Sequence, residues 1–221
     1  MRPSLLGLLA CPECPGDLTL SPERRAGDEI ESGALSCADC GHVYPIVRHV
    51  PRFAPAENYA ASFGFQWNRF RRTQLDSHTG VPLSRARLLR STGWGPGELE
   101  GKRVLDVGCG AGRFAEVTLA LGADVVALDY SSAVDACRDN LAPHPRLDVV
   151  QGDIYRLPFR PGVFDFVYCL GVLQHTPDVR KAFLCLPPQL RPGGHLTVTC
   201  IKSSPSTSSG RSTGSVRSPG G

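Results

Sequence analysis

Between residues 101 and 201 the chain repeats one pattern: a short, almost unbroken apolar run, then a stretch with helical spacing, then another apolar run. The runs are RVLDVG (103–108), DVVALD (124–129), LDVVQ (147–151), FDFVYC (164–169) and HLTVTCI (195–201). All are of strand length and rich in Val, Ile, Leu and aromatic residues. A strand apolar on both faces has to be covered on both, as in a parallel sheet with helices above and below. Helix candidates lie between the runs. Arg113 to Leu121 is closed by Gly122, Ala133 to Leu141 follows Ser131 and Ser132 as N-cap candidates, and Asp178 caps a run reaching Leu186. Strict alternation requires right-handed crossovers, so this region predicts an α/β domain with a Rossmann-like, doubly wound parallel sheet. One stretch resists: LPPQLRPGG puts Pro187 and Pro188 where a helix would have to continue before the last run.

The 221 residues allow one such domain and a small additional module. Residues 1–53 are rich in Cys, Pro and Gly, residues 54–100 form a mixed segment with aromatic and arginine clusters, and residues 101–202 hold the alternating pattern. From 203 to 221 nearly every residue is Ser, Gly, Thr, Pro or Arg, with Val216 the only aliphatic one. Such a tail buries too little apolar surface to offset its ordering entropy and is expected to be disordered. The net charge of +3 is spread along the chain, which leaves a nucleic-acid partner possible but unsupported. No apolar run approaches the ~18 residues that span a bilayer, so no membrane helix is expected. LLGLLA after Arg2 is shorter than a secretion-signal core, and the cysteine that follows it belongs to a different pattern.

That pattern is CPEC at 11–14 and CADC at 37–40, two C-x-x-C knuckles able to bring four thiolates to tetrahedral reach of a zinc ion. Cys11, Cys14, Cys37 and Cys40 fill every position with sulfur and leave none for water, so the site is expected to be structural. A module this small has little core of its own, and metal binding would supply much of its folding free energy. Nine cysteines is an odd number, and their spacing fits metal ligation and isolated thiols better than a disulfide framework. The expected compartment is therefore the reducing cytoplasm. LLACPEC, followed by GALSCADCGHVYPIVRHVPRF, resembles the small zinc ribbons that serve as activator subunits of tRNA and protein methyltransferases, and the same ribbon fused ahead of bacterial methyltransferases. Tyr44, Pro45, Ile46 and Pro51 fall where that ribbon closes with a hairpin.

The first apolar run leads into Asp106-Val-Gly108-Cys109-Gly110-Ala-Gly112, a glycine-rich turn between a strand and a helix. Glycines there let the backbone turn tightly and approach a ligand at a helix N-terminus. Arg113 stands where a dinucleotide-binding G-x-G-x-x-G has its third glycine, which argues against NAD. The turn is similar to the first motif of class I S-adenosylmethionine-dependent methyltransferases, of the kind that includes ubiquinone and menaquinone methylases, and the resemblance extends over about 100–201. It implies S-adenosylmethionine as cofactor beside the structural zinc. Gly108, Cys109 and Gly110 would line its methionine part, and Asp106 would orient the loop or the amino group. Asp129 would take both ribose hydroxyls and Tyr130 would flank the adenine. Asp153 and Ile154, in QGDIYRLPF, would hold the adenine amino group and cover its face, and Leu170 would offer a backbone contact near the methionine. Each matched segment ends a predicted strand, where an open α/β sheet binds its ligands.

Methyl transfer from a sulfonium is an in-line displacement, so the protein has chiefly to align the acceptor and exclude water. The catalytic residues are not identified by the sequence. His175 lies in the loop after the fourth run, either as a base or as a packed or solvent-facing histidine. SFGFQWNRFRRTQLD (62–76) has helical spacing with Phe63, Trp67 and Phe70 on one face, which fits a lid over the site as well as packing of the ribbon on the sheet. Arg69, Arg71 and Arg72 would meet an acidic substrate or be solvated. The leading expectation is methylation of a small-molecule acceptor. The absence of an Asn-Pro-Pro-Tyr-type motif, with CLGVLQH in its place, leans against methylation of a base or a glutamine nitrogen. The ribbon's relatives keep an RNA or protein acceptor as an alternative. A third expectation comes from what the resemblance leaves out: class I enzymes continue past the fifth strand with a helix and two more strands. A truncated or frameshifted chain would keep one sheet edge uncovered and serve as a non-catalytic cofactor-binding or regulatory module.

Overall fold

The computed structural model describes residues 1–55 and 58–200. The expected disorder of 203–221 lies outside the described residues. Two sheets organise the molecule. The first is an antiparallel meander of β1 (Leu18–Ala26), β2 (Glu29–Cys37), β3 (Val43–Val47) and β4 (Val50–Pro51), in that order. Tyr44, Pro45, Ile46 and Pro51 lie on its closing hairpin, as the sequence predicts.

Between the two sheets run three helices: α1 (Ala61–Arg69), α2 (Asp76–Thr79) and α3 (Leu83–Thr92). The second sheet is built from β5 (Arg103–Val107), β6 (Asp124–Asp129), β7 (Leu147–Gln151), β8 (Phe164–Leu170) and β9 (Leu190–Thr199), with α4 (Arg113–Ala120), α5 (Ala133–Leu141) and α6 (Val179–Leu184) in the connections. All its pairings are parallel, in the order β7-β6-β5-β8-β9. The chain therefore starts in the middle and winds outward in both directions. This places a topological switch point between β5 and β8, with a crevice at the strands' carboxyl ends.

Several local expectations are met closely. The α5 bounds are those read from the sequence; the Ser131 hydroxyl accepts from the Ala133 N–H (3.2 Å). Asp178 caps α6 by accepting from the Lys181 N–H (2.9 Å). Three local expectations need correction. The helix expected over 62–76 stops at Arg69, because the chain turns to bury Leu75 and to set Arg71 on Asp139 (2.9 Å). Phe70, expected beside Phe63 and Trp67, is consequently exposed. The helix expected to reach Leu186 ends at Leu184, and Pro187–Gln189 form a 3-10 turn. The last strand begins at Leu190 rather than His195, interrupted by an irregularity opposite Phe164 and Phe166, where Asp165 binds Arg191. Pro192 is tolerated because, among the described residues, β9 pairs only with β8.

The second sheet separates two interiors. On one face Val104, Val125 and Phe166 pack with Phe114, Val117, Val134 and Leu88 from the helices, and with Trp94. On the other, Leu105, Val107, Val126, Leu128, Val150 and Val167 pack with Leu173, Leu186 and the N-terminal module: Met1, Leu5, Leu9, Leu18, Ile30, Leu35 and Ile46. The ribbon thus has no separate core. Its apolar side is one layer of the α/β domain, and an antiparallel bridge between Leu9 and Phe159 and a parallel one between Arg52 and Gln151 stitch the two together. Among the described residues no helix is long and apolar enough to cross a membrane.

Candidate active site and metal centre

The two knuckles bring Cys11, Cys14, Cys37 and Cys40 together, with all four sulfurs within 4.8 Å of one another. Cys11 and Cys40 approach to 3.5 Å and Cys14 and Cys37 to 3.4 Å. These are thiols, not disulfides, at separations that suit one tetrahedral ion with metal–sulfur bonds of about 2.3 Å. Backbone turns hold the knuckles: the Cys11 N–H donates to the Gly16 carbonyl (2.9 Å) and the Cys37 N–H to that of His42 (2.9 Å). The Tyr44 hydroxyl lies 3.2 Å from the Cys11 sulfur, an outer contact of the kind that fixes a ligand's orientation. The donor set and the closed geometry fit a structural zinc ion.

The second centre lies in the crevice. A cavity of about 340 Å³ opens at the carboxyl ends of β5, β6 and β8, within the size range of small-ligand sites. Its floor is the turn after β5. Gly108 has φ +82°, and a Cβ there would collide with the Val172 side chain. At Gly110, with φ +52°, a Cβ would meet the Trp67 ring at 3.3 Å. The turn is tied down by the Gly108 and Cys109 N–H groups, which both donate to the Leu128 carbonyl (2.7 and 3.0 Å).

Asp129 ends β6 in the cavity wall. One carboxylate oxygen accepts from the Gly110 N–H (3.0 Å) and the other from the Ser131 N–H and hydroxyl (2.9 and 2.7 Å). Burial raises its pKa above the usual carboxylate value despite these donors. Tyr130 follows, its ring 5.0 Å from that of Tyr59, and Ile154 and Leu170 also line the cavity.

Two predicted residues stand behind the wall rather than in it. Asp106 is buried beneath the turn beside Tyr168, whose hydroxyl is 3.1 Å from that of Thr118. Burial, and after it the neighbouring Asp129, push Asp106 up to about 7 against the opposing hydrogen bond with Tyr168. Asp153 directs a carboxylate oxygen at its own turn, accepting from the Tyr155 N–H (2.9 Å).

The roof comes from α1 and the following segment, which sequence reasoning left open between lid and packing. Phe63 lies 5.1 Å from the His175 ring and Trp67 covers Gly110, so α1 faces the cavity. The Gln174 side-chain amide nitrogen donates to the Gly171 carbonyl (2.8 Å) and lies 3.3 Å from His175 Nε2. That makes the imidazole nitrogen an acceptor there.

Sequence reasoning missed three polar residues of the wall. Arg113 is half-buried, with neutral partners in the Ser84 hydroxyl (3.0 Å) and Gln74 Oε1 (3.0 Å). Its pKa is lowered by burial and then by Arg87. Arg87 itself lies over the Phe114 ring (5.7 Å) and beside Gly171. Arg113 was legible from its place in the glycine-rich turn; Arg87 and Gln74 carry no local signal. The bare backbone at Gly108, the Arg87 and Arg113 guanidinium groups and the Tyr59–Tyr130 ring pair in one cavity suit a ligand with a charged end and a flat aromatic one.

Residues 105–198 match the Methyltransferase domain family and residues 2–48 the Trm112p-like protein family. Among curated proteins, the chain is 37% identical over 112 residues to a ubiquinone biosynthesis O-methyltransferase of Marinobacter nauticus, covering 48% of this chain and 47% of that one. To the mitochondrial ubiquinone biosynthesis O-methyltransferase of Schizosaccharomyces pombe it is 33% identical over 106 residues, covering 46% and 38%. The chain spans about half the length of the curated relatives it matches, or less. Two solved structures share the fold. One is a Methanococcus maripaludis protein described as an S-adenosyl-L-methionine-dependent methyltransferase, with TM-score 0.52 and 18% identity over 66% of each chain. The other is the complex of the Haloferax volcanii Trm112 methyltransferase activator with a methyltransferase, with TM-score 0.52 and 20% identity over 66% of this chain and 61% of that one.

Proposed function

We propose that this chain, a class I methyltransferase domain joined to a Trm112p-like zinc ribbon, binds S-adenosylmethionine in the crevice between β5 and β8 and transfers its methyl group to a small-molecule acceptor. The observation that carries this reading is the conjunction of the glycine turn at Gly108–Gly110 with the Asp129 carboxylate in one cavity. The relatives named ubiquinone biosynthesis O-methyltransferase support a small acceptor. The thiol cluster suits a reducing compartment, which supports the cytoplasm.

In this reading Gly108, Cys109 and Gly110 let the methionine part lie against bare backbone. Asp129 takes both ribose hydroxyls with oxygens already held in place by Gly110 and Ser131. Tyr130 and Ile154 flank the adenine, Asp153 lies at its edge behind the wall, and Leu170 contacts the methionine portion. Asp106 acts from beneath, where its buried carboxyl beside Tyr168 supports the turn. Arg87, beside Gly171, balances the carboxylate. The cofactor supplies an activated methyl on a sulfonium. The chain's task is then to align the acceptor under Phe63 and Trp67 and to keep water out. His175 lines the same cavity beside Phe63, with its Nε2 engaged by the Gln174 amide.

Calorimetric titration of S-adenosylmethionine into the zinc-loaded chain tests the reading. Binding in the parent and its loss in Asp129→Ala are expected. A folded parent that does not bind overturns it.

A further inference from the structure

Gln151 ends β7 and is almost fully buried, although it is polar and touches neither the cavity nor the zinc cluster. Both ends of its side chain are used. Its Oε1 accepts from the Arg52 guanidinium (3.2 Å), and its Nε2 donates to the backbone carbonyl of Tyr130 (3.1 Å). The acceptor at Tyr130 fixes which end of the amide carries the nitrogen. Its backbone is engaged as well, with the Phe53 N–H donating to the Gln151 carbonyl (2.7 Å).

Arg52 reaches further. Its other terminal nitrogen binds Asp135 Oδ1 (2.7 Å), in the first turn of α5. The segment from Asp129 to Ser132 runs between these two anchor points, the end of β7 and the start of α5. One ribbon side chain therefore holds both flanks of the turn that carries Asp129 and Tyr130. A second donor, Asn58 Nδ2, reaches the same Tyr130 carbonyl (3.1 Å) from the segment before α1.

From this geometry we infer that Gln151 and Arg52 are positioning residues through which the ribbon sets the Tyr130 wall of the ligand cavity. As far as cofactor affinity is concerned, the inference rests on the reading of that cavity as the S-adenosylmethionine site. The Arg52 guanidinium orients the Gln151 amide, the amide nitrogen fixes the Tyr130 carbonyl, and the ring of Tyr130 is thereby held against Tyr59. Burial of Gln151 shields this chain of bonds from competition by water.

Gln151→Glu separates a positioning role from a merely structural one. The carboxylate keeps, and strengthens, the contact to Arg52, yet it presents an acceptor instead of a donor to the Tyr130 carbonyl. Zinc content should stay near that of the parent. Amide exchange of 129–133 should rise by roughly three- to tenfold, the loss of about one hydrogen bond, and the Kd for S-adenosylmethionine should weaken by a similar factor. Arg52→Ala should do the same, and Asn58→Ala, which leaves the ribbon untouched, should act in the same direction. Unchanged exchange at 129–133 in Gln151→Glu and in Arg52→Ala overturns the inference whether or not cofactor binds. Raised exchange with no cofactor binding by the parent keeps the positioning role and overturns the cofactor reading alone. Raised exchange with unaltered Kd shows that the bonds hold the turn but do not set affinity, and overturns the inference as stated.

Discussion

The α/β core and the ribbon are held together by different means. All seven residues of β8 are buried, and those of β5 to β7 nearly so, because these strands are covered on both faces. β1 of the ribbon is exposed over most of its length, and β3 buries only alternate residues. The ribbon substitutes four sulfurs at one end, and a borrowed layer of the core's interior along one side, for the second apolar face that it lacks. Two modules that look separable in sequence therefore share one interior, and the stability of one should depend on the state of the other.

Removing the metal tests that dependence most severely. Structural zinc contributes on the order of 10 kcal/mol in small domains. Stripping it with a chelator, or Cys37→Ser, should unfold the ribbon and uncover Leu105, Val126 and Val150 on the core face it covers. Calorimetry should then show one transition at a much lower temperature. Two separate transitions, with the upper one where the zinc-loaded protein melts, would break the picture of a shared interior.

A milder comparison sets one leucine from each region side by side. Leu9 and Leu105 are both fully buried in the same cluster. Each Leu→Ala change should cost about 2–5 kcal/mol in urea unfolding, the range for a buried cavity. A Leu9→Ala cost near that of a surface substitution would show that the N-terminal segment rests on the core without completing it.

The contrast also explains what could be read from sequence. The strands of the core were visible because apolar runs buried on both faces are local signals, and the knuckles because metal ligation demands fixed spacing. Asp178 was legible for the same reason, since a cap acts within a few residues. The shared interior was not, because nothing in Leu5, Leu9 or Ile30 says which surface will cover them. Trp67 over Gly110, Arg87 beside Gly171 and the early stop of α1 are likewise set by tertiary contact between distant segments. The start of β9 at Leu190 depends on Arg191 finding Asp165.

The two regions should also respond to pH in opposite senses. Asp106, in the core, is pushed up to about 7 by burial, well above the roughly 3.9 of an unfolded aspartate. Between those values the folded state holds a proton that the unfolded state has released. Its contribution is therefore complete in acid and is lost as pH rises from about 4 to 7. Glu29, at the junction with the core, titrates lower than usual: burial opposes this, but the Arg138 guanidinium outweighs it. Its contribution is present above the unfolded pKa and lost as pH falls through the folded one. Asp106→Asn should flatten the decline of stability between pH 4 and 7, and Glu29→Gln should flatten the loss on the acid side. Unfolding free energies from about pH 2 to about pH 7 decide both.

The smallest expected effects lie among the ion pairs that span the junction. Arg160 binds Asp17 (2.7 Å) with the Asp17 side chain 84% exposed, whereas Arg52 binds Asp135 at the same distance with side chains 12% and 21% exposed. Water competes fully for the first pair, so Asp17→Asn should change stability by less than about 0.5 kcal/mol. The second is largely removed from water and shares its arginine with Gln151, so breaking it leaves a poorly solvated carboxylate near α5. A double-mutant cycle on Arg52 and Asp135 should give a coupling above that of Arg160 and Asp17. Equal couplings would mean that the junction is held by its apolar layer alone, and that the charges around it only choose its orientation.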